Sequence, residues 1–259
     1  MNRDRIHLSI HIERTGGTTL LAELEKFYGP KNILIYKAGI GKFIRLSDIP
    51  VSPANIALQK GKSLLEGTKL LHFIYKFYVR FVNRSNDVLK WIEPDDLPND
   101  FIAIHGHFKL DQVEHLVENP YITAIFRHPL ERMVSQFLHW RRAGGLLGWR
   151  VEVPFDENIS FVEYAFREEF ANFQTQAIGN NSVDEIDLIG ITPYTDRFIA
   201  KIKGKNTNNS CVTRVNEIVN KPGYKKLGIT KAIVKRFKDF NARDYENYER
   251  AIQLVRQYI

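Results

Sequence analysis

The stretch "HIERTGGTTLL", residues 11–21, decides how this chain is read. An apolar strand-like run, Ile6 to Ile12, leads into it, and helical apolar spacing from Thr18 to Tyr28 follows. Strand, glycine turn and helix together form an anion cradle, because successive N–H groups of the turn and the start of the helix make a positive concavity. Gly16 and Gly17 let backbone approach an anion closely, and the hydroxyls of Thr15, Thr18 and Thr19 add donors. The G-x-x-x-x-G-K-[ST] form is absent, and Arg14 stands where a lysine is usual. "GIGKF" at 39–43 lacks the upstream glycine and a hydroxyl residue after Lys42, so it reads as a loop. An ordinary ATPase or GTPase is therefore disfavoured. Taken alone, TGGTT fits a strand-to-helix turn with no ligand equally well.

Working outward, candidate strands are Ile6 to Ile12, Asn32 to Tyr36, Phe101 to His105, Tyr121 to Arg127 and Leu188 to Ile191. Helical patterns fall at Thr18 to Tyr28, Leu110 to Val117 and Leu130 to Arg142. The stretch Thr230 to Tyr258 reads as one or two helices with Phe237, Phe240, Tyr245, Tyr248, Ile252 and Val255 inward. Alternating strands and helices predict an α/β fold, a three-layer arrangement with a central, mainly parallel sheet flanked by helices. At 259 residues with no repeat or long linker, 1–259 is expected to be a single domain. The charge of +7 favours an anionic partner. Cys211 is the only cysteine, which excludes an intrachain disulfide and points to a reducing compartment. The N-terminal apolar run is too short for a signal sequence or membrane span, so a soluble, cytoplasmic protein is expected.

A second stretch, "AIFRHPLERMVSQFLHWRR" at 124–142, repeats the strand-to-helix layout. Arg127 ends the strand, Pro129 opens the helix, and Leu130, Met133, Val134, Phe137 and Leu138 form its apolar face. Arg132, Ser135, Gln136 and His139 are predicted to share the polar side. Arg127 and Ser135 are suited to hold a second phosphate, the arginine through its fork and the serine through its hydroxyl. The alternative is a solvated surface helix.

Together, "HIERTGGTTL" and "FRHPLERMVSQF" resemble the two nucleotide motifs of sulfotransferases that use 3′-phosphoadenosine 5′-phosphosulfate (PAPS). The second match includes a serine eight residues after the arginine. "HGHF" at 105–108, "NFQTQAIG" at 172–179, "LIGITPYTDRFI" at 188–199 and "DYENYERA" at 244–251 are similar to segments of the heparan sulfate 2-O-/6-O-sulfotransferase branch. Residues 37–100 match nothing in that family. The resemblance implies a P-loop-like fold with PAPS as sulfuryl donor. It puts the 5′-phosphosulfate in the 13–19 loop, the 3′-phosphate on Arg127 and Ser135, and makes His107 the catalytic base supported by His105. The chemistry agrees, since a neutral imidazole can accept the acceptor proton near pH 7. Residues 105 and 107 lie on one side of a strand, so both are expected to face the cleft.

Three departures from the family pattern stand out: Arg14 for lysine preceded by Glu13 for proline, His128 for an acid, and Pro193 for a glutamate. Arginine clamps a departing phosphate but is a very poor proton donor, with a pKa above ~12. No metal is expected, because His-x-His lacks a third ligand, and no G-x-S-x-G elbow supports a hydrolase. The acceptor is expected to be a small molecule or glycan, with an anionic one suited to the basic charge, and no nucleic-acid partner is expected. Residues 70–82 read as a buried face or as a helix that touches a membrane surface or the substrate. The competing function is a non-catalytic anion-binding module: a degenerate sulfotransferase that binds nucleotide or glycan, or a basic nucleic-acid binder.

Overall fold

The computed structural model describes residues 5–49, 89–143, 153–204 and 222–257. The stretch 70–82 and Cys211 lie outside them. Among the described residues, one sheet comprises β1 (His7–Ile10), β2 (Ile33–Lys37), β3 (Lys42–Arg45), β4 (Ala103–Gly106), β5 (Tyr121–Phe126) and β6 (Leu188–Ile191). Its strand order is β3-β2-β4-β1-β5-β6. Every pairing is parallel except β2 with β3. Helices cover both faces, and the protein has a three-layer α/β fold. All four residues of β1 are buried, as expected of a central parallel strand covered on both sides.

The period-2 alternation of the strands sorts side chains into two cores. Leu8, Ile10, Ile104, Ala124 and Phe126 join Met133 and Phe137 of the helix Pro129–Ala143, and Ile252 and Val255 of the helix Ala242–Arg256. On the other face, Ile33, Ala103, Ile125 and Leu188 meet Leu20 and Leu24 of the helix Gly17–Tyr28, and Phe198 and Ile202 of the helix Thr195–Ile202. The predicted inward positions at the C-terminal end hold for Phe237, Tyr245, Tyr248, Ile252 and Val255, while Phe240 is half-buried.

All five expected strands form, and three local expectations are corrected. Lys42 and Phe43 of "GIGKF" begin β3 rather than a loop, because Phe43 is fully buried opposite Tyr36. The segment from Leu110 to Val117 forms two 3₁₀ turns, Leu110–Gln112 and Glu114–Leu116, instead of one α-helix. Leu110 and Val113 are both wholly buried, and the three-residue repeat of a 3₁₀ turn aligns them. On the helix Pro129–Ala143, Leu138 is exposed, whereas Arg132 and Gln136 are buried and bonded to each other. The Arg132 guanidinium lies 4.4 Å from the centre of the Phe173 ring, which lets a charged group replace an apolar one in the packed layer.

Candidate functional site

β1 lies between β4 and β5, and the chain leaves β1 toward β2 on one side but leaves β5 toward β6 on the other. The crevice at that reversal, beyond the carboxyl ends of the strands, is where open α/β sheets bind ligands. A cavity of about 440 Å³ lies there. Four adjacent strand ends contribute to its wall: His107 after β4, the 11–19 segment after β1, Arg127 after β5 and Thr192 after β6.

The loop is held in an unusual backbone shape. Arg14 has φ of 69° and Gly16 of 108°, both left-handed, and for a residue with a Cβ this costs ~1–3 kcal/mol. The surroundings that hold it are specific. Arg127 Nη1 donates to the Arg14 carbonyl at 3.1 Å, and Thr192 Oγ1 donates to the Thr15 carbonyl at 3.0 Å. The helix Gly17–Tyr28 then starts without a side-chain cap and without an acidic residue in its first turn. Its leading N–H groups therefore open toward the cavity lined by Gly16, Gly17, Thr18 and Thr19.

Two loop residues differ from expectation. Thr15 is buried and its hydroxyl donates to the Ile12 carbonyl at 2.9 Å, so it braces the turn instead of offering a donor to the cavity. Gly17 is needed for a different close approach: a Cβ there would lie 1.8 Å from His11 Cδ2, and so the missing side chain makes room for the His11 ring.

Ser135 reaches the cavity through Arg14, whose Nε donates to Ser135 Oγ at 3.1 Å. The loop and the Arg127/Ser135 pair are thus contiguous, joined at Arg14. Arg127 is set by a reciprocal pair of bonds, its N–H donating to Gln174 Oε1 and its carbonyl accepting from Gln174 Nε2, each at 2.9 Å. Gln174 and Thr175 donate their own N–H groups to buried Asp244, at 3.1 and 2.7 Å. The segments "NFQTQAIG" and "DYENYERA" therefore act as scaffold behind Arg127. His128 packs edge-on against Tyr245 and Tyr248, with ring centres 5.1 and 5.6 Å away. Pro193 is the second residue of a 3₁₀ turn, Thr192–Tyr194, where its fixed φ suits the first turn.

Of the two histidines of "HGH", only His107 lines the cavity. His105 is 2% exposed, and burial pushes its pKa down to about 3, so it is a neutral ring bonded through Nδ1 to Ser9 Oγ at 2.9 Å. The two rings do share a side, with His11 between them. His11 stacks on His107 with centres 4.0 Å apart and lies 5.1 Å from His105. His107 Nδ1 donates to the His11 carbonyl at 2.7 Å, which leaves the lone pair on Nε2. The carboxylate of Glu13, with no exposed side-chain surface, lies 3.6 Å from His107 Nδ1. Sequence reasoning passed over His11 and Thr192 and gave Glu13 only a place in the 13–19 loop, not one beside His107; the one signal available for His11 was its position next to the glycine loop.

The cavity's field is positive. Burial lowers the Arg14 pKa from its ordinary value, and the like charges of Arg127 and Arg142 lower it further. His139 is pushed down to about 4, first by burial and then by Arg14 and Arg142, so it is neutral at pH 7. A cation held beside like charges, as Arg14 is, gains from an anion placed next to it. Among the described residues, no group of three or more His, Cys, Asp or Glu is placed to hold a metal ion. None of their helices is long and apolar enough to cross a membrane.

No family model matches the sequence, and no curated protein matches it. Among solved structures, a sulfotransferase from Alicyclobacillus acidocaldarius is similar, with 13% sequence identity and a TM-score of 0.43. The match covers 96% of this chain and 96% of that one.

Proposed function

We propose that this protein is a PAPS-dependent sulfotransferase that moves a sulfuryl group to a hydroxyl of a carbohydrate or other metabolite. The observation that carries the reading is the convergence of an uncapped helix start, Arg14, Arg127 and an imidazole with a free Nε2 lone pair in one cavity. At about 440 Å³ the cavity is within the ~300–1,000 Å³ range of ligand pockets. The residues fit a bis-anionic donor: the loop amides and Arg14 suit the 5′-phosphosulfate, and Arg127 with Ser135 suits the 3′-phosphate. The donor supplies an activated sulfuryl group.

The protein's own residues do the rest. His107 Nε2 takes the proton of the acceptor hydroxyl as the acceptor oxygen bonds to sulfur. The S–O bond to the phosphate breaks with its electron pair staying on the phosphate oxygen, where Arg14 stabilises the charge without giving up a proton. The likeness of "HGHF" to the heparan sulfate branch favours a glycan acceptor.

A second reading, a degenerate module that binds nucleotide or glycan without turnover, draws on Arg14 in place of lysine and on its side chain being engaged by Ser135. Calorimetric titration tests donor binding: 3′,5′-adenosine bisphosphate is expected to bind at least about 10-fold tighter than AMP, by roughly one charge-assisted contact. Equal affinities would remove Arg127 and Ser135 as a 3′-phosphate site. Transfer of labelled sulfate to a glycan panel by wild type and His107→Ala tests the chemistry. Binding without transfer supports the module, and full activity in His107→Ala refutes the base.

A further inference from the structure

We infer that Glu13 is the positioning residue for His107, its buried carboxylate balancing the charge that the imidazole gains when it takes the acceptor proton. This rests on the reading of His107 as the base. Three contacts carry it, all from the segment that also forms the anion loop. The His11 carbonyl accepts from Nδ1 at 2.7 Å and fixes which nitrogen holds the proton. The His11 ring stacks on the imidazole at 4.0 Å and fixes its plane. Glu13 Oε1 stands 3.6 Å from the same Nδ1, too far for a hydrogen bond and close enough for an ion pair.

Glu13 therefore acts through charge. Its carboxyl stays on the side of the ring away from the lone pair, and the proton remains on His107 Nε2 until it leaves for solvent. The other charged and titratable groups around the base are His11 and His105 on the strand side, and Arg14, Arg127 and His139 across the cavity. Glu13 is the carboxylate beside Nδ1 in that set, with Glu131 farther off and paired to Arg127 at 3.8 Å, so removing Glu13 takes away the negative charge next to the imidazolium.

The loop thereby couples the two halves of the reaction. Its amides and Arg14 address the donor, while Glu13 and the His11 carbonyl address the base. A displacement of the loop would disturb both at once.

The test combines two measurements. Imidazole ¹⁵N shifts of the wild-type protein, assigned by comparison with His107→Ala, are expected to show His107 protonated on Nδ1 with the lone pair on Nε2; the opposite tautomer overturns the proposal with no assay of activity. For Glu13→Gln, kcat for sulfuryl transfer from PAPS is expected to fall about 10–100-fold, as for loss of a partner that orients a histidine. The affinity for 3′,5′-adenosine bisphosphate is expected to stay within about twofold. Glu13→Asp, which keeps the charge, is expected to recover part of kcat and serves if the Gln variant does not fold. If His107→Ala is inactive and Glu13→Gln keeps full kcat, the proposal fails and the reading of the base stands. If nucleotide affinity falls as far as kcat, Glu13 is only structural and the proposal fails. If wild type transfers no sulfuryl group, or His107→Ala is fully active, the reading of the site fails as well.

Discussion

Replacing Gly17 by alanine probes the packing of the site through a single methyl group. The added Cβ would lie 1.8 Å from His11 Cδ2, 2.1 Å from Nε2 and 2.4 Å from Cγ. All three atoms belong to the ring, so no rotation of a flexible tip relieves the overlap. The ring cannot retreat freely either, because His107 is stacked on it with centres 4.0 Å apart. Overpacking of this kind costs ~1–3 kcal/mol. Alanine recovers at most about 1 kcal/mol in helix propensity, and less at a first-turn position such as this. A net loss of about 1–2 kcal/mol is expected, and for a chain of this size it lowers Tm by about 2–8 °C.

The assay is a double-mutant cycle in thermal melts. Gly17→Ala should destabilise, while Gly17→Ala with His11→Ala should cost less than the sum of the two single changes, because the second removes the group that the first strikes. Sulfuryl transfer should fall more than nucleotide affinity in Gly17→Ala, since the displaced ring bears on His107 while the loop amides remain. Strict additivity in the cycle, or a Gly17→Ala protein as stable as wild type, would refute the account of why glycine stands at this position.

Two further predictions come from the same geometry. Arg14→Ala should lower turnover about 10²–10³-fold, the usual loss for a group that stabilises developing charge, while Arg14→Lys should hold most of it; a fully active Arg14→Ala enzyme would take this residue out of the chemistry. His7 is wholly buried between Tyr28 and Thr123, and burial pushes its pKa down to about 3. A histidine depressed in the folded state contributes stability above its unfolded pKa of about 6.5 and loses that contribution as pH falls toward the folded value. Melting temperature should therefore drop as pH is lowered from about 6.5, and His7→Gln should drop less steeply by about one proton; identical slopes would show that His7 is not the linked group.

The elements that sequence made legible are those whose signal is local. Each of the five parallel strands is a mostly apolar run bounded by turns, as expected where both faces are covered, and the buried polar residues inside them, His7, Ser9, His105 and Thr123, bond to one another or to Tyr28. β3 escaped because its four residues follow two glycines and include two charged residues, and only pairing with β2 makes Phe43 a core residue. Arg132 and Gln136 escaped for the converse reason. A helical pattern sends polar residues outward, whereas here the two satisfy each other inside, against the Phe173 ring.

The candidate site divides along the same line. Gly16, Gly17, Thr18 and Thr19 are legible as a cradle because the turn and the helix start are adjacent in the chain, and Arg127 because it ends a strand. The surroundings of His107 depend on register. Ile10 is paired with Gly106, so the next residue along each strand, His11 and His107, must stand side by side. A shift of one position would put Ile12 or Ile10 beside the imidazole and move Glu13 away from Nδ1. That alignment is set by the whole β1–β4 ladder, whose residues are 96 apart in the chain. His107 and the Glu13 carboxylate are therefore brought together by the sheet, and the loop that lines the cavity is the same segment that holds the imidazole.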